Sequence, residues 1–209
     1  MESYYTLDEL KRIGFAYIGE SVQVSRRAAI YSPDKIRLGN HVRIDDFVFL
    51  SGGVGIEIGN YVHVAVQAAL YGSHGIHIGS YVNLSGRVSI YSTSDDYSGE
   101  YMRGPLVPQC YIHDSGAPVE ICNHAIIGAG TVVLPGVTIG EGSSIGALSL
   151  VKESTEPFGI YAGVPARKIK EGSRKMLELE NLMIKEKYTG GGHLLLESER
   201  TAVNRGICA

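Results

Sequence analysis

The chain has 209 residues, of which 44% are apolar and 20% charged, enough to bury the core of one folded domain and too apolar for wholesale disorder. With 19 Lys+Arg against 22 Asp+Glu its net charge is −3, which excludes a protein that works by neutralising many phosphates, so no nucleic-acid partner is expected. No run of about 18 apolar residues occurs and Met1–Leu10 has neither a basic nor an apolar leader region, so a soluble cytoplasmic protein off the membrane is expected.

At the front, Thr6 and Glu9 form a Thr-Leu-Asp-Glu capping box that predicts a short helix stopped by Gly14, and residues 1–17 read as a helical cap. The dominant signal after that is internal repetition. Leu38–Glu57 reads LGNHVRIDDFVFLSGGVGIE, Ile58–His77 reads IGNYVHVAVQAALYGSHGIH and Ile78 onward reads IGSYVNLSGRVSIYST, a period of twenty residues. Aliphatics fall six apart inside it: Leu38, Ile44, Leu50, Ile56, then Ile58, Val64, Leu70, Ile76, then Ile78, Leu84, Ile90. Ile121, Ile127, Val133, Ile139, Ile145 and Val151 continue the step, with Gly128, Gly140 and Gly146 directly after three of them.

A step of six matches neither the period of a helix nor that of a strand, so short strands must be turning corners. Three such sides make a triangular coil of about 18 residues, and twenty adds a two-residue corner. Each aliphatic points inward, and the following Gly is expected to relieve the corner through a positive φ. Stacked coils pair their backbones about 4.8 Å apart, so no coil is stable alone. The predicted fold is an all-β solenoid, a parallel β-helix over residues 18–156 with a short N-terminal helix and a C-terminal α-helix.

Tyr91–Pro118, YSTSDDYSGEYMRGPLVPQCYIHDSGAP, breaks the register as an inserted loop over 91–118. Long loops inside compact folds carry function, and this one concentrates Asp95, Asp96, Glu100, Arg103, His113 and Asp114. The alternative is a solvated excursion that packs on a neighbouring subunit. Pro157 and Pro165 end the repeat, and residues 157–188 form a C-terminal segment and helix. Ile169–Tyr188 carries Met176, Leu177, Leu179, Leu182 and Met183 among charges, an amphipathic helix for the coil or a neighbouring subunit. Residues 189–209 read as a flexible tail without a function. Cys110, Cys122 and Cys208 are odd in number and fit no CxxC, so they indicate neither a disulfide framework nor a zinc knuckle.

The run IIGAGTVVLPGVTIGEGSSIGALSLVKE, followed by YAGVPARKIK, resembles the hexapeptide-repeat acyltransferases, and the resemblance extends over about Ile18–Lys170. It implies a left-handed coil, a homotrimer, and acetyl-CoA or another acyl-CoA as co-substrate with no metal. The loop segment SDDYSGEYMRGP is similar to members that N-acylate a nucleotide-linked (dTDP) 4-amino-4,6-dideoxyglucose for cell-surface polysaccharide such as lipopolysaccharide O-antigen. Carried over to this sequence, the resemblance implies CoA in the groove between two subunits. Ala129, Gly146 and Ala147 would let its pantetheine approach the backbone, and Lys152, Arg167 and Lys170 would face its phosphates, as guanidinium and ammonium groups do.

The sequence also departs from that pattern. The galactoside and maltose acetyltransferases carry a His at the start of the loop, in Gly-His-Pro, that deprotonates a sugar hydroxyl; Asp95 stands there instead. An alcohol attacks a thioester poorly without a positioned base. A sugar amine, with a pKa of about 8 by analogy with an α-amino group, is already partly neutral near pH 7 and needs mainly orientation. The missing His therefore favours N-acylation, with Asp95 and Glu100 as the catalytic candidates. Asp96, Tyr97 and Arg103 are expected to bind substrate from the same loop. His63 and Asn83 hold equivalent outward positions in successive repeats and can line an inter-subunit groove. Gln67 lies near the place where similar enzymes keep a substrate-binding Asn, while Asp45 and Asp46 read as a solvated corner.

Competing readings are an O-acetyltransferase using His63 or His113 of another subunit as base, and a non-catalytic scaffold. A zinc carbonic anhydrase of the same architecture needs histidines five apart, and those at 41, 63, 74, 77, 113, 124 and 193 supply no such pair. Gly128-Ala-Gly130 sits inside the six-residue register without a βαβ context, so it is a corner and not a dinucleotide loop.

Overall fold

The computed structural model describes residues 3–189, and the expectation for residues 190–209 lies outside them. Helix α1 (Leu7–Ile13) opens with the capping box: the Glu9 carboxylate accepts from the Thr6 N–H at 2.8 Å and the Thr6 hydroxyl accepts from the Glu9 N–H at 3.4 Å. Gly14 ends it in the left-handed region at φ 89°. Leu10 plugs the end of the core, and Arg26 ties the helix to the first coil through Glu9 at 2.7 and 2.9 Å.

From Tyr17 the chain winds into a left-handed parallel β-helix of about seven turns. The first sheet runs from Tyr17–Ile18 through Ile36–Leu38, Ile56–Ile58, Ile76–Ile78 and Val119–Ile121 to Thr138–Ile139. The second runs from Gln23–Val24 through Arg43–Ile44, His63–Val64, Asn83–Leu84 and Ile126–Ile127 to Ser144–Ile145. The third runs from Ala29–Tyr31 through Phe49–Ser51, Ala69–Tyr71, Ser89–Tyr91 and Val132–Val133 to Leu150–Val151. One strand from each sheet makes a coil, and coils 1 to 6 count along the axis. The aliphatics of the six-step series are all buried, none more than 3% exposed, and they stack in register: Ile44 on Val64, Leu50 on Leu70, Ile78 on Ile121.

The corner glycines serve differently from the expectation. Gly59, Gly128, Gly140 and Gly146 do not adopt a positive φ. They are glycines because the coils meet there: a Cβ on Gly59 would lie 2.7 Å from the Gly79 carbonyl carbon, and one on Gly128 would lie 2.4 Å from the Ala147 nitrogen. The positive φ falls further round the turn, on His41, Tyr61, Tyr81 and His124 at 56–61°. Their rings stack at 4.6, 5.1 and 4.9 Å, which offsets the backbone strain. Side chains also cap the preceding coil's corner: the Asn40 amide oxygen accepts from Glu20 N–H at 2.7 Å, that of Asn60 from Asn40 N–H at 2.7 Å, and that of Asn123 from Ser80 N–H at 2.8 Å.

At the far end the second sheet gains a hairpin, Gly159–Gly163 with Ala166–Glu171, so the stretch around Ile169 is strand and the helix starts later than expected. The hairpin covers an edge that would otherwise be left unpaired. Helix α2 (Lys175–Thr189) follows. Met176, Leu177, Glu180, Met183 and Ile184 are its half-buried side, and Glu180 accepts from His124 Nε2 at 2.8 Å. Leu179 and Leu182, expected on the packed face, stay exposed because the helix is seated through Glu180 on the stacked corner. Burial, then the neighbouring Glu180, pushes the Tyr81 phenol above its ordinary range. Cys110 is an exposed free thiol, and Cys122 is buried at 2% exposure. No helix among the described residues is long and apolar enough to cross a membrane.

Gly59→Ala should therefore destabilise the protein by about 1–3 kcal/mol through overpacking, read as a lower midpoint in urea, while Gly55→Ala, whose Cβ would meet nothing nearer than 3.9 Å, should shift it far less.

Candidate active site

The twenty-residue period places Arg43, His63 and Asn83 in one outward column of the second sheet, Arg43 paired with His63 and His63 with Asn83. Asp45, two residues beyond Arg43, joins them. Its carboxylate accepts from Arg43 Nε at 2.7 Å and from His63 Nε2 at 2.8 Å, while His63 Nδ1 lies 3.1 Å from the Asn83 amide oxygen. Asp45 is not the solvated corner expected, since its side chain is only 16% exposed. Burial opposes its ionisation, but the hydrogen bonds from His63 and Arg43 outweigh that and hold the carboxyl below the usual range. A signal was available: Arg43-x-Asp45 stands one period before His63, on the same face. Asp46 turns the other way, to Ser25 Oγ and, at 3.0 Å, to Arg27.

The corner between the second and third sheets carries a second column at positive φ: Phe47, Gln67, Arg87, then Gly130 and Leu148. On coils 2 to 4 the two columns present Arg43, His63 and Asn83, and Phe47, Gln67 and Arg87. Their charged and amide side chains end at one level. On coils 5 and 6 the columns continue as Ile126 and Ser144, and Gly130 and Leu148, with Gly128, Ala129, Gly146 and Ala147 between them. Contact there is close, with Leu148 N–H donating to the Ala129 carbonyl at 2.9 Å, and a Cβ on Gly146 would lie 2.9 Å from that of Ala162. Beyond this small-residue strip stand cations. Lys152 and Arg167 flank Glu153 at 3.7 and 3.5 Å, and Lys170 is exposed on the hairpin. Such exposed pairs are weak and yield to a phosphate. Lys168 is committed elsewhere, to Glu156 and Glu171.

The inserted loop leaves coil 4 after Tyr91, at the level of that change. Thr93–Asp95 pairs antiparallel with Asp114–Gly116, which sets Asp95 directly opposite Asp114. Like charges in that position repel unless a cation joins them. The Asp95 and Glu100 carboxylates are exposed and have no hydrogen-bond or ion-pair partner among the described residues. Asp96, a substrate-binding expectation, organises the loop itself. Its two oxygens accept from the Ser98 hydroxyl at 2.7 Å and from the N–H groups of Ser98, Gly99 and Tyr101. The hydrogen bonds from Ser98 lead in drawing its pKa down to about 2. Arg103 Nε donates to the Asp96 carbonyl at 2.8 Å, leaving its charge uncompensated. Further out Tyr101 packs on His113 with ring centroids 5.1 Å apart, and Tyr97 and Leu106 are 88% and 97% exposed.

The structure thus joins His63 to Asn83 and Lys152 to Arg167, and it sets Gln67 on the adjoining corner. It does not join them to Asp95 or Glu100 within one copy. The loop leaves at the edge between the third and first sheets, which in a triangular prism is the edge opposite the second sheet. Among the described residues no three His, Cys, Asp or Glu gather as metal ligands.

A parallel β-helix with a polar insertion at mid-axis and cations at its C-terminal end is the frame of a hexapeptide transferase, and the model "Bacterial transferase hexapeptide (six repeats)" matches residues 118–153. The chain belongs to the hexapeptide-repeat acyltransferases. It is 49% identical over 179 residues to the Escherichia coli dTDP-4-amino-4,6-dideoxy-D-glucose acyltransferase, covering 84% of this chain and 93% of that protein. AntD, an N-acyltransferase from Bacillus cereus solved with dTDP and 3-hydroxybutyryl-CoA, superposes with a TM-score of 0.87 at 45% identity, over 90% of this chain and 100% of AntD. A serine-substituted form of AntD with dTDP-4-amino-4,6-dideoxyglucose and coenzyme A gives 0.86 at 45% identity, over 89% of this chain and 100% of that one.

Asp96→Asn should open the loop, read as faster tryptic cleavage after Arg103. Because ionised Asp96 is favoured in the folded loop, its order should hold above about pH 4 and fade as the pH falls toward 2, read as faster hydrogen exchange of the Gly99 and Tyr101 amides relative to an unstructured peptide at the same pH.

Proposed function

We propose that the protein transfers an acyl group from acyl-CoA to the amine of a dTDP-linked 4-amino-4,6-dideoxy sugar, as a homotrimer. The observation that carries this is the 49% identity across 93% of the E. coli enzyme. The substrates of that enzyme and of AntD fit the division of this chain's surface. Small residues at Ala129, Gly146 and Ala147 suit a narrow pantetheine, and Lys152, Arg167 and Lys170 beyond them suit its phosphates. Polar residues below, His63, Gln67, Asn83 and Arg87, suit a nucleotide-sugar.

The two halves meet at coils 4 and 5, where the loop leaves. A thioester supplies the activated acyl group. The neutral amine attacks its carbonyl carbon, the C–S bond breaks, and the proton lost by the nitrogen ends on the departing CoA thiolate, giving the amide and free CoA. Asp95 and Glu100 hold and orient the amine, and the opposed Asp95 and Asp114 carboxylates form an anionic seat for it. His63 is a poor base for the rival O-acetylation, since both its ring nitrogens already face oxygens, at 2.8 and 3.1 Å. Because the loop leaves opposite the second sheet, a neighbouring copy must bring Asp95 to His63 and Asn83. Exposed Tyr97 and Leu106 at the loop's outer end suit that contact.

CoA release should occur with dTDP-4-amino-4,6-dideoxyglucose and not with galactosides lacking an amine; turnover of hydroxyl acceptors alone would transfer the assignment to O-acetylation. Asp95→Asn should lose about a hundredfold or more in turnover with an unchanged trimer and melting point. Arg167→Glu should raise the KM for acyl-CoA about tenfold while leaving that for an acyl-pantetheine, which lacks the nucleotide phosphates, unchanged.

A further inference from the structure

We propose that Asp45, seated by Arg43, acts through His63 to hold the Asn83 amide with its Nδ2 turned outward, as a hydrogen-bond donor to an oxygen of the amino-sugar substrate. This rests on the N-acyltransferase reading above and names positioning residues within it. The contacts form a continuous chain. Arg43 Nε donates to Asp45 at 2.7 Å, His63 Nε2 donates to the other oxygen of Asp45 at 2.8 Å, and His63 Nδ1 lies 3.1 Å from Asn83 Oδ1. Asn83 ends the chain: its Oδ1 is spent, and its Nδ2 has no hydrogen-bond partner among the described residues. A donor at the end of charged hydrogen bonds is better aligned and more polarised than a free amide.

The fold does not need this network. Ile126 occupies the same outward column one coil further on and stacks in register on Asn83 with no polar partner. Seating a carboxylate that is only 16% exposed is costly unless its donors are fixed, and here an arginine and a histidine fix it beside one neutral amide. Asn83 stands on coil 4, one coil below the Gly128–Ala129 corner, where the two halves of the surface meet. The contact is to the sugar, so it acts on substrate binding and not on the breaking of the thioester.

The test is a coupling cycle on the full protein with Asp45→Asn, His63→Gln, Asn83→Ala and the doubles that include Asn83→Ala. Each single change should raise the KM for dTDP-4-amino-4,6-dideoxyglucose about tenfold, the worth of one aligned hydrogen bond. The kcat should stay within about threefold and the KM for acyl-CoA should not move. With Asn83 already Ala, neither Asp45→Asn nor His63→Gln should add anything, a result that a merely structural role would not give. If Asp45→Asn fails to fold, the His63→Gln cycle decides alone. A second readout needs no turnover: the melting-point gain from the amino sugar beyond that from dTDP should vanish equally in all variants. Additive effects, or a fall in kcat with KM unchanged, overturn the proposal while wild-type turnover keeps the functional reading. No turnover and no melting gain in the wild type overturn both.

Discussion

Everything in this molecule depends on coil-to-coil stacking at the strand spacing of about 4.8 Å. That spacing admits no backbone adjustment between neighbours, so whatever stands at one position of a coil meets its counterpart in the next. Inside the prism the result is columns of aliphatics, Ile44 on Val64 and Leu50 on Leu70. At the corners it is glycine, because the coil above leaves no volume for a Cβ. Outside it is columns of like function: the rings of His41, Tyr61, Tyr81 and His124, the amides of Asn40, Asn60 and Asn123, and the polar run of Arg43, His63 and Asn83.

The same constraint shapes the site. A solenoid has no cleft, so it makes a binding surface by changing residue type along its axis. In this acyltransferase the change falls between coils 4 and 5, from charged and amide side chains to Gly and Ala, with cations on the last strands. The inserted loop leaves where the two zones meet. Its antiparallel ladder and the Asp96 turn make it a built element, with Asp95 and Glu100 presented and Asp96 consumed in the presentation.

Electrostatics divides the charged groups into those the fold uses and those it leaves available. Asp45, Glu9, Asp96 and Lys168 are engaged by neighbours. Asp95 and Glu100 are not, and Lys152 and Arg167 are joined only through exposed, weak contacts with Glu153. Groups held loosely or not at all are those a substrate can recruit without first displacing a strong interaction.

The sequence by itself determined the coil, its core and its interruption, because a six-residue step of aliphatics has one geometrical solution and every such residue has a fixed direction. It also determined which residues share an outward column, since a constant period is a constant register. Local chemistry could be read where it depends on neighbours in sequence, as in the Thr6–Glu9 capping box. The tertiary structure decided what depends on the next coil. It made the corner glycines a matter of clearance instead of φ, and it turned Asp45 from a corner carboxylate into the centre of a hydrogen-bonded chain. It made the segment around Ile169 a strand that closes a sheet edge, and it seated the last helix through Glu180 so that Leu179 and Leu182 face outward. In each case the deciding partner lies far off in sequence and close in space, where side-chain reach and the direction of a single hydrogen bond, not periodicity, set the outcome.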